Sequence, residues 1–374
     1  MPRYCYFPIL KTRPSEVNAY DALNDTVKDN ILPIIEMTGE LGYTYTKNCK
    51  DENLRGKRRQ GDIYNKIQKI LDFMDDRRFI LDITDDASLK YDGLSSKGGG
   101  LLDPSNGYQS WSDFLQKNDK FKKQVIPVIQ FNAAHMTEVQ AQIQVLNANF
   151  DYIAVKLPAF APSLPQVIKF ITDIIGNGKL FVILDFDFVR DYKENEIKSG
   201  LSGIDISNIK ALIPVSSSFP ASVSSISKTA GSIDITENQV SDCVKTELGS
   251  KVFHGDFSSI YPKRYEMGGA GWYARIDYIE RDQRTKQPIK YWFRRGNGRN
   301  TSSDYVGLAK QVIGSSEYAP ITEFLTEGDR RIAEKANGAP EGKAPAYWIA
   351  VRSNLYMTMQ CLYLRRQSGA FLDL

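Results

Sequence analysis

Histidine is almost absent from this chain. His135 and His254 are the only two in 374 residues, so chemistry that needs a pair of imidazoles would have to use both. Cysteine is nearly as sparse. Cys5, Cys49, Cys243 and Cys361 are scattered, with no two at metal-ligand spacing, and they read as reduced thiols. No apolar run approaches the roughly 18 residues needed to cross a bilayer, and no signal-peptide pattern precedes the first apolar run. A cytoplasmic protein with no membrane partner is expected. A dominant charge is missing too. Lys and Arg total 48 against 45 Asp and Glu, a formal net charge of +3, too near neutral to argue for nucleic-acid binding from composition. The serines of "PVSSSFPAS" lack the glycines of a nucleophile elbow.

What the chain does have is ordinary globular composition, 42% hydrophobic and 25% charged, and a repeat marked by proline. "YFPILK", "ILPIIE", "VIPVIQ" and "LIPVSS" carry Pro8, Pro33, Pro127 and Pro214 inside apolar runs that turn polar within a few residues. Proline cannot donate to a ladder, so each reads as a short strand starting near the proline. Four more runs end in the same way without proline: "RFILDITDD", "YIAVKLP", "LFVILDFDF" and "KVFHGDFSS". Between these eight segments lie helix-like stretches. "SEVNAYDALNDTVKDN" places Val17, Tyr20, Leu23 and Val27 on one stripe, and "GDIYNKIQKILDFMDD" does so with Ile63, Ile67 and Ile70. "SLPQVIKFITDIIGNG" and "TENQVSDCVKTELG" both stop at glycine. Strand alternating with helix over about 250 residues predicts an α/β fold, a (β/α)8 TIM-like barrel spanning residues 1–262. A doubly wound open sheet is weakened because "ILKTRPSE", after the first run, holds no glycine-rich phosphate loop.

Sites in such barrels form where strands end. The strand-end carboxylates Glu36, Asp82, Asp185 and Asp256 come from separate strands and are the candidate catalytic acids, joined by His254 as an oriented general base beside Asp256. Lys11, Arg13, Gln130, Lys156, Asp187 and Ser216 are candidate ligand-binding residues, with Asp85 and Asn132 close by. Asp185 and Asp187 fall on one face of a strand, where like charges repel. Asp185 is expected to be compensated by Lys156 or by a metal, and Asp187 to be more solvated. Converging carboxylates suit a hard cation such as Mg²⁺ without requiring one. Equally, Lys11 and Lys156 can neutralise the acids.

Residues 263–374 remain beyond the barrel. "GWYARIDYIERDQRTKQPIKYWFRRGNG" alternates as a β-hairpin with its tip near "DQRTKQP". Its basic residues, Arg275 among them, interleave with aromatics, which suits either single-strand binding or packing on the barrel. Helices follow. In the longest, Trp348, Val351, Leu355, Met359 and Leu362 form a stripe that reads as core. The hairpin and helices are expected to pack on the barrel rather than form an independent domain. Two rim-side segments stand out: the basic stretch 47–62, and the glycine-rich stretch 92–107, a lid or an insertion.

The segments "YFPILKTRPSEVNAYDAL" and "ILPIIEMT", the eight-strand pattern and the later "WYARIDY" together resemble the beta protein family of bacteriophages, phage satellites and bacterial mobile islands, over nearly the whole chain. The resemblance implies an accessory gene of a mobile element, similar to a component of an anti-phage defence cassette with a growth-inhibitory partner. It brings no catalytic assignment. Three readings stand at this point. The first is a defence component whose rim binds a phosphate-bearing ligand, a nucleotide or nucleic acid. The second is a non-enzymatic partner of a toxic protein. The third is a metal-dependent phosphodiesterase.

Overall fold

The computed structural model describes residues 3–39, 44–45, 58–59, 63–86, 89–90, 92–96, 99–263, 272–299, 302–321, 326–367 and 371–374. Cys49 and the basic stretch 47–62, apart from a two-residue strand at 58–59, lie outside them, as do residues 97 and 98 of the glycine-rich stretch.

Eight parallel strands close into a barrel in sequence order. They are Tyr6–Lys11, Ile34–Met37, Phe79–Ile83, Val125–Ile129, Ile153–Pro158, Leu180–Phe188, Ala211–Ser217 and His254–Asp256. The eighth pairs back onto the first, His254 opposite Tyr6 and Asp256 opposite Pro8. The expected fold class is therefore the one observed. One detail differs: Pro8, Pro127 and Pro214 lie inside their strands rather than at the starts. Successive residues of a strand address opposite neighbours, so each proline forfeits one ladder bond and leaves the rest intact.

Alternation along the strands sorts side chains into two cores. Phe7, Ile9, Ile34, Ile80, Ile126, Val128, Ala154, Phe181, Ile183, Ile213 and Val215 fill the barrel. Leu10, Ile35, Leu81, Val155, Val182 and Leu184 point outward and pack beneath the helices. The inward position of the eighth strand is Gly255, and no larger residue fits. A Cβ there would lie 2.7 Å from Ile213 Cγ2, 2.8 Å from Val215 Cγ1 and 2.9 Å from the Phe7 carbonyl.

Helices follow most strands as the pattern predicts, including Leu164–Ile175 and Glu237–Leu248, whose C-caps are Gly176 and Gly249. The polar helix Glu194–Gly200, between the sixth and seventh strands, carries little apolar signal in the sequence. The helix beside the eighth strand comes from far along the chain. Pro345–Arg366 packs on the first helix, Pro14–Asp21, and on the first strand. It is buried on all sides. Trp348, Val351, Leu355 and Met359, the predicted stripe, face a second core, while Ala350, Met357 and Cys361 join the barrel's helical layer.

The second core belongs to an appended lobe. The hairpin Tyr273–Arg281 and Pro288–Arg299 forms as expected, with Asp282 Oδ1 accepting from the Arg284 and Thr285 amides at its tip. A third strand, Ala230–Asp234, extends it antiparallel from the connection between the seventh and eighth barrel strands. The sheet is thus threaded into the barrel's own chain path. The lobe's aromatic core includes Phe219, Tyr291, Tyr305 and Trp348.

The Gly255 contacts give a first prediction. Gly255→Ala should cost about 1–3 kcal/mol or more through overpacking against two side chains and a backbone oxygen. Urea denaturation would show it, and an unchanged midpoint would mean that the barrel interior is looser at this layer than the contacts describe.

Candidate functional site

An inward position at or near the C-terminal end of six successive strands is polar. The alternation that buries Ile9, Ile34, Ile80, Val128, Ala154 and Ile183 two residues earlier turns Lys11, Glu36, Asp82, Gln130, Lys156 and Asp185 into the barrel mouth. Parallel register ties the first three directly, Lys11 opposite Glu36 and Glu36 opposite Asp82.

Lys156 is the centre of the cluster. Its Nζ lies 2.6 Å from Glu36 Oε1, 3.1 Å from Asp82 Oδ2 and 2.8 Å from Asp85 Oδ2. The second lysine, Lys11, sits 3.2 Å from the other oxygen of Glu36 and donates to the Pro262 carbonyl at 2.5 Å. Lys11, Glu36 and Asp82 are buried, while Asp85 is exposed. Gln130 Nε2 donates to Asp82 Oδ1 at 3.4 Å. Beneath the cluster, buried Glu16 accepts the Lys11 amide at 2.7 Å.

These contacts divide the acids. Burial opposes ionisation of Glu36, but the adjoining Lys11 and Lys156 ammonium groups outweigh it and hold the carboxyl at about 2. Asp82 moves the other way, to about 6, because burial and the neighbouring Asp85 and Glu36 charges outweigh Lys156. Burial lowers Lys156, yet the surrounding carboxylates hold it well above the ordinary lysine value. Asp185 rises to about 6, chiefly through burial, with Lys156 opposing.

The sequence points to Lys156 or a metal as compensation for Asp185, and Lys156 does oppose its rise. Among the described residues Asp185 forms no ion pair and accepts one hydrogen bond, from the Asp187 amide at 2.8 Å. The direct partner belongs instead to Asp187, which pairs with Lys263 at the outer edge. Asp187 is the more exposed of the two acids and sits at φ 56° as the chain leaves the strand.

A cavity of about 470 Å³ opens above the cluster. Five carboxylates (Glu36, Asp85, Asp86, Asp185 and Asp187) and three ammonium groups (Lys11, Lys156 and Lys263) line it. Phe257, Leu157, Pro158 and Pro262 supply apolar wall.

Several predicted site residues lie elsewhere. Asp256, His254 and Ser216 occupy outward positions, on the opposite parity from Gly255 and Val215. Asp256 is wholly buried under the C-terminal helix. It accepts from Tyr6 at 2.6 Å, Tyr356 at 3.0 Å and the Ser258 amide at 2.8 Å, with His254 Nε2 at 3.0 Å. Arg275 belongs to the appended lobe, where it pairs with Asp277 at 2.9 Å. Arg13 is the N-cap residue of the first helix, and exposed Asn132 accepts the Ala134 amide at 3.0 Å. Residues not singled out from the sequence, Phe257 and Lys263 above all, complete the mouth. Phe257 takes the inward position that continues Gly255, a parity the sequence could have supplied.

The carboxylates suggest a cation site, but the geometry does not fit one. Among the described residues no three His, Cys, Asp or Glu side chains are placed to hold an ion, and the Lys156 ammonium stands between the acids where a metal would.

Fold and site together define a (β/α)8 barrel with a charged mouth and a second lobe woven through its last loops. The chain belongs to the Beta protein family, whose model matches residues 6–361. It is similar to Protein beta of Enterobacteria phage P4, 26% identical over 370 residues, which cover 96% of this chain and 93% of that protein. No solved structure matches.

Two outcomes follow from the mouth. Lys156→Met leaves buried Asp82 without an ammonium partner and Glu36 with Lys11 alone, and should cost about 3–5 kcal/mol in denaturant titration; a near-neutral result would mean that the acids are solvated. Asp185 gives a pH-dependent signature. Its folded pKa is about 6, against an ordinary 3.8. A raised carboxyl contributes its stability below the ordinary value and loses it as pH rises through the folded one. The stability of Asp185→Asn relative to wild type should therefore improve between pH 4 and pH 8, by on the order of 1–3 kcal/mol. A difference that does not vary with pH would remove this account of Asp185.

Proposed function

We propose that this protein is an accessory factor of a phage or phage-derived element, and that its barrel mouth holds a small polar ligand with a hydrogen-bond-donating or cationic group. Asp185 carries the reading. It is a half-buried carboxyl facing the cavity, held by one amide, while Glu36, Asp82 and Asp85 are engaged by Lys156. A donor on the ligand would give Asp185 the partner it lacks. The apolar wall around Phe257 suits the remainder of such a molecule.

The lining charges weigh against a phosphate-bearing ligand, since an anion entering the cavity would meet more carboxylates than ammonium groups. They weigh equally against metal-dependent hydrolysis, because Glu36, Asp82 and Asp85 are already engaged by Lys156 and Asp187 by Lys263. Binding, rather than catalysis by the mouth acids, is the better-supported activity. Kinship with Protein beta of phage P4 supports the phage setting. Anti-phage defence, alongside a toxic partner, is the physiological role we adopt for test.

The test pairs two variants with one control. Asp185→Asn removes the carboxylate, and Pro158→Trp fills the mouth from its rim. Both should abolish protection of a phage-sensitive host, while exposed Lys169→Ala protects like wild type. Native mass spectrometry of protein from the producing host should show a small-molecule adduct on wild type and Lys169→Ala only. Full protection by both folded mouth variants, with no adduct on any form, would sink the proposal.

A further inference from the structure

We infer that the cavity between the helix Glu237–Leu248 and the end of the helix Pro345–Arg366 is a second ligand site, for a small zwitterion with the chemistry of a free neutral amino acid. The cavity measures about 210 Å³. It is bordered by Cys5 and Val252, which come just before the first and eighth strands. It therefore lies toward the opposite end of the barrel from the mouth, whose residues stand where the strands finish.

His254 and Ser241 carry the inference. Both line the cavity and both are buried. His254 Nε2 faces Asp256 Oδ2 at 3.0 Å. Asp256 already receives the Tyr6 and Tyr356 hydroxyls and the Ser258 amide. It acts as an acceptor, so the imidazole proton sits on Nε2. That leaves Nδ1 as a lone-pair acceptor, and it has no hydrogen-bond partner among the described residues. Ser241 Oγ is equally without one. Buried polar atoms are normally satisfied, and here two belong to the wall of one space. An occupant with a donor group supplies what they lack.

The lip of the cavity sets the class of that occupant. Asp242 and Lys245 follow Ser241 on the same helix, line the cavity and are exposed. Among the described residues neither forms an ion pair. Partial shielding from water raises the Asp242 carboxyl, while His254 and Lys245 oppose the rise, so the three groups act on one another. An ammonium can donate to Asp242 and to Nδ1, and a carboxylate can accept from Lys245. One molecule carrying both charges serves all of these groups. Val252, Phe253 and Leu364 make the rest of the wall apolar, which suits an uncharged side chain. The volume is below the roughly 300 Å³ at which drug-sized pockets begin, and it suits a molecule of amino-acid size.

A ligand this small behind an exposed lip exchanges during purification, so it is added back. Isothermal titration calorimetry of the dialysed full-length protein uses L-alanine and L-leucine as probes. One or both should bind. For the probe that binds, the matching amine (ethylamine or isopentylamine) and the matching carboxylate (propionate or 4-methylpentanoate) should each bind about tenfold or more weakly. Asp242→Asn and Lys245→Met, both surface changes, should each weaken binding by about tenfold or more. Asp185→Asn should bind the probe as wild type does, which separates this site from the mouth. His254 gives an independent readout. With only two histidines in the chain, its Nδ1 resonance should shift in nitrogen NMR on adding the probe, while those of His135 stay fixed. No binding of either amino acid overturns the inference, because the cavity then holds water alone. So does equal binding of the amine or the carboxylate, unchanged affinity in Asp242→Asn or Lys245→Met, or an unmoved His254. Loss of binding in Asp185→Asn would also overturn it, by placing the amino acid in the mouth.

Discussion

The buried ammonium of Lys156 is the constraint on which the mouth depends. A lysine pointing into a barrel must be compensated or neutralised. Here three carboxylates from two neighbouring segments close around it. Such a cluster adds little net stability, because desolvating its members offsets their attraction, yet breaking it is costly. Its effect is therefore on specificity of geometry. The ends of the second, third and fifth strands, distant in sequence, must meet at one point, and Lys11 draws the first strand to the same place. What the lysines engage also decides what is left. Glu36 is held firmly ionised, whereas Asp185, one layer higher, forms no ion pair among the described residues.

A second buried acid has a comparable role on the outside of the barrel. Asp256 is inaccessible to water, and its oxygens take hydrogen bonds from the first strand, the C-terminal helix and its own turn. The eighth strand is only three residues long, and among the described residues no helix immediately follows it. The Tyr356 contact recruits one from the end of the chain. Further along the same helix, Arg352 reaches Asp277 and Ser259, Asn354 reaches the Ala19 carbonyl, and Gln360 exchanges hydrogen bonds with Asn238. This helix joins barrel and lobe by polar contacts on a background of apolar packing. That explains why it is buried on every face and why its hydrophobic stripe does not reveal its whole role.

Much of this was legible in residue order. Eight apolar runs with polar ends, separated by helical periods, lead to the barrel, and the mouth residues Lys11, Glu36, Asp82, Gln130, Lys156 and Asp185 can be read from where those runs turn polar. The reading slips by one residue on the last two strands. Ser216 and Asp256 point outward, while Ser217 and Phe257 continue the inward parity. A polar residue at a strand end normally means solvent or the mouth. Here it means a covered outer face, because the helix that covers Asp256 begins about ninety residues later, and nothing local announces it. The strand Ala230–Asp234 was invisible for a similar reason. "AGSID" has no apolar alternation and a single β-branched residue, Ile233, and its pairing with the hairpin is a tertiary choice. Arg275 looked like a ligand-binding cation because sequence shows charge but not partner, and Asp277 takes it up two residues away.

Near-neutral net charge conceals a separation that follows from these placements. In the barrel, acids outnumber bases around the mouth, and buried lysines hold them apart. In the lobe, residues 263–299 carry ten Lys and Arg against four Asp and Glu, and the structure commits the described acids at specific points. Asp277 takes up Arg275 and Arg352, Glu280 accepts Trp292 Nε1 at 2.6 Å, and Asp282 closes the hairpin tip. Barrel and lobe are joined through the chain path. Strand Ala230–Asp234 belongs to the lobe's sheet but lies between two barrel strands in the chain, and Phe219, just past the seventh strand, packs under Arg352 and Tyr291. The chain path thus ties the lobe's sheet to the loops after the seventh and eighth strands, and the latter loop supplies Phe257, Pro262 and Lys263 to the mouth.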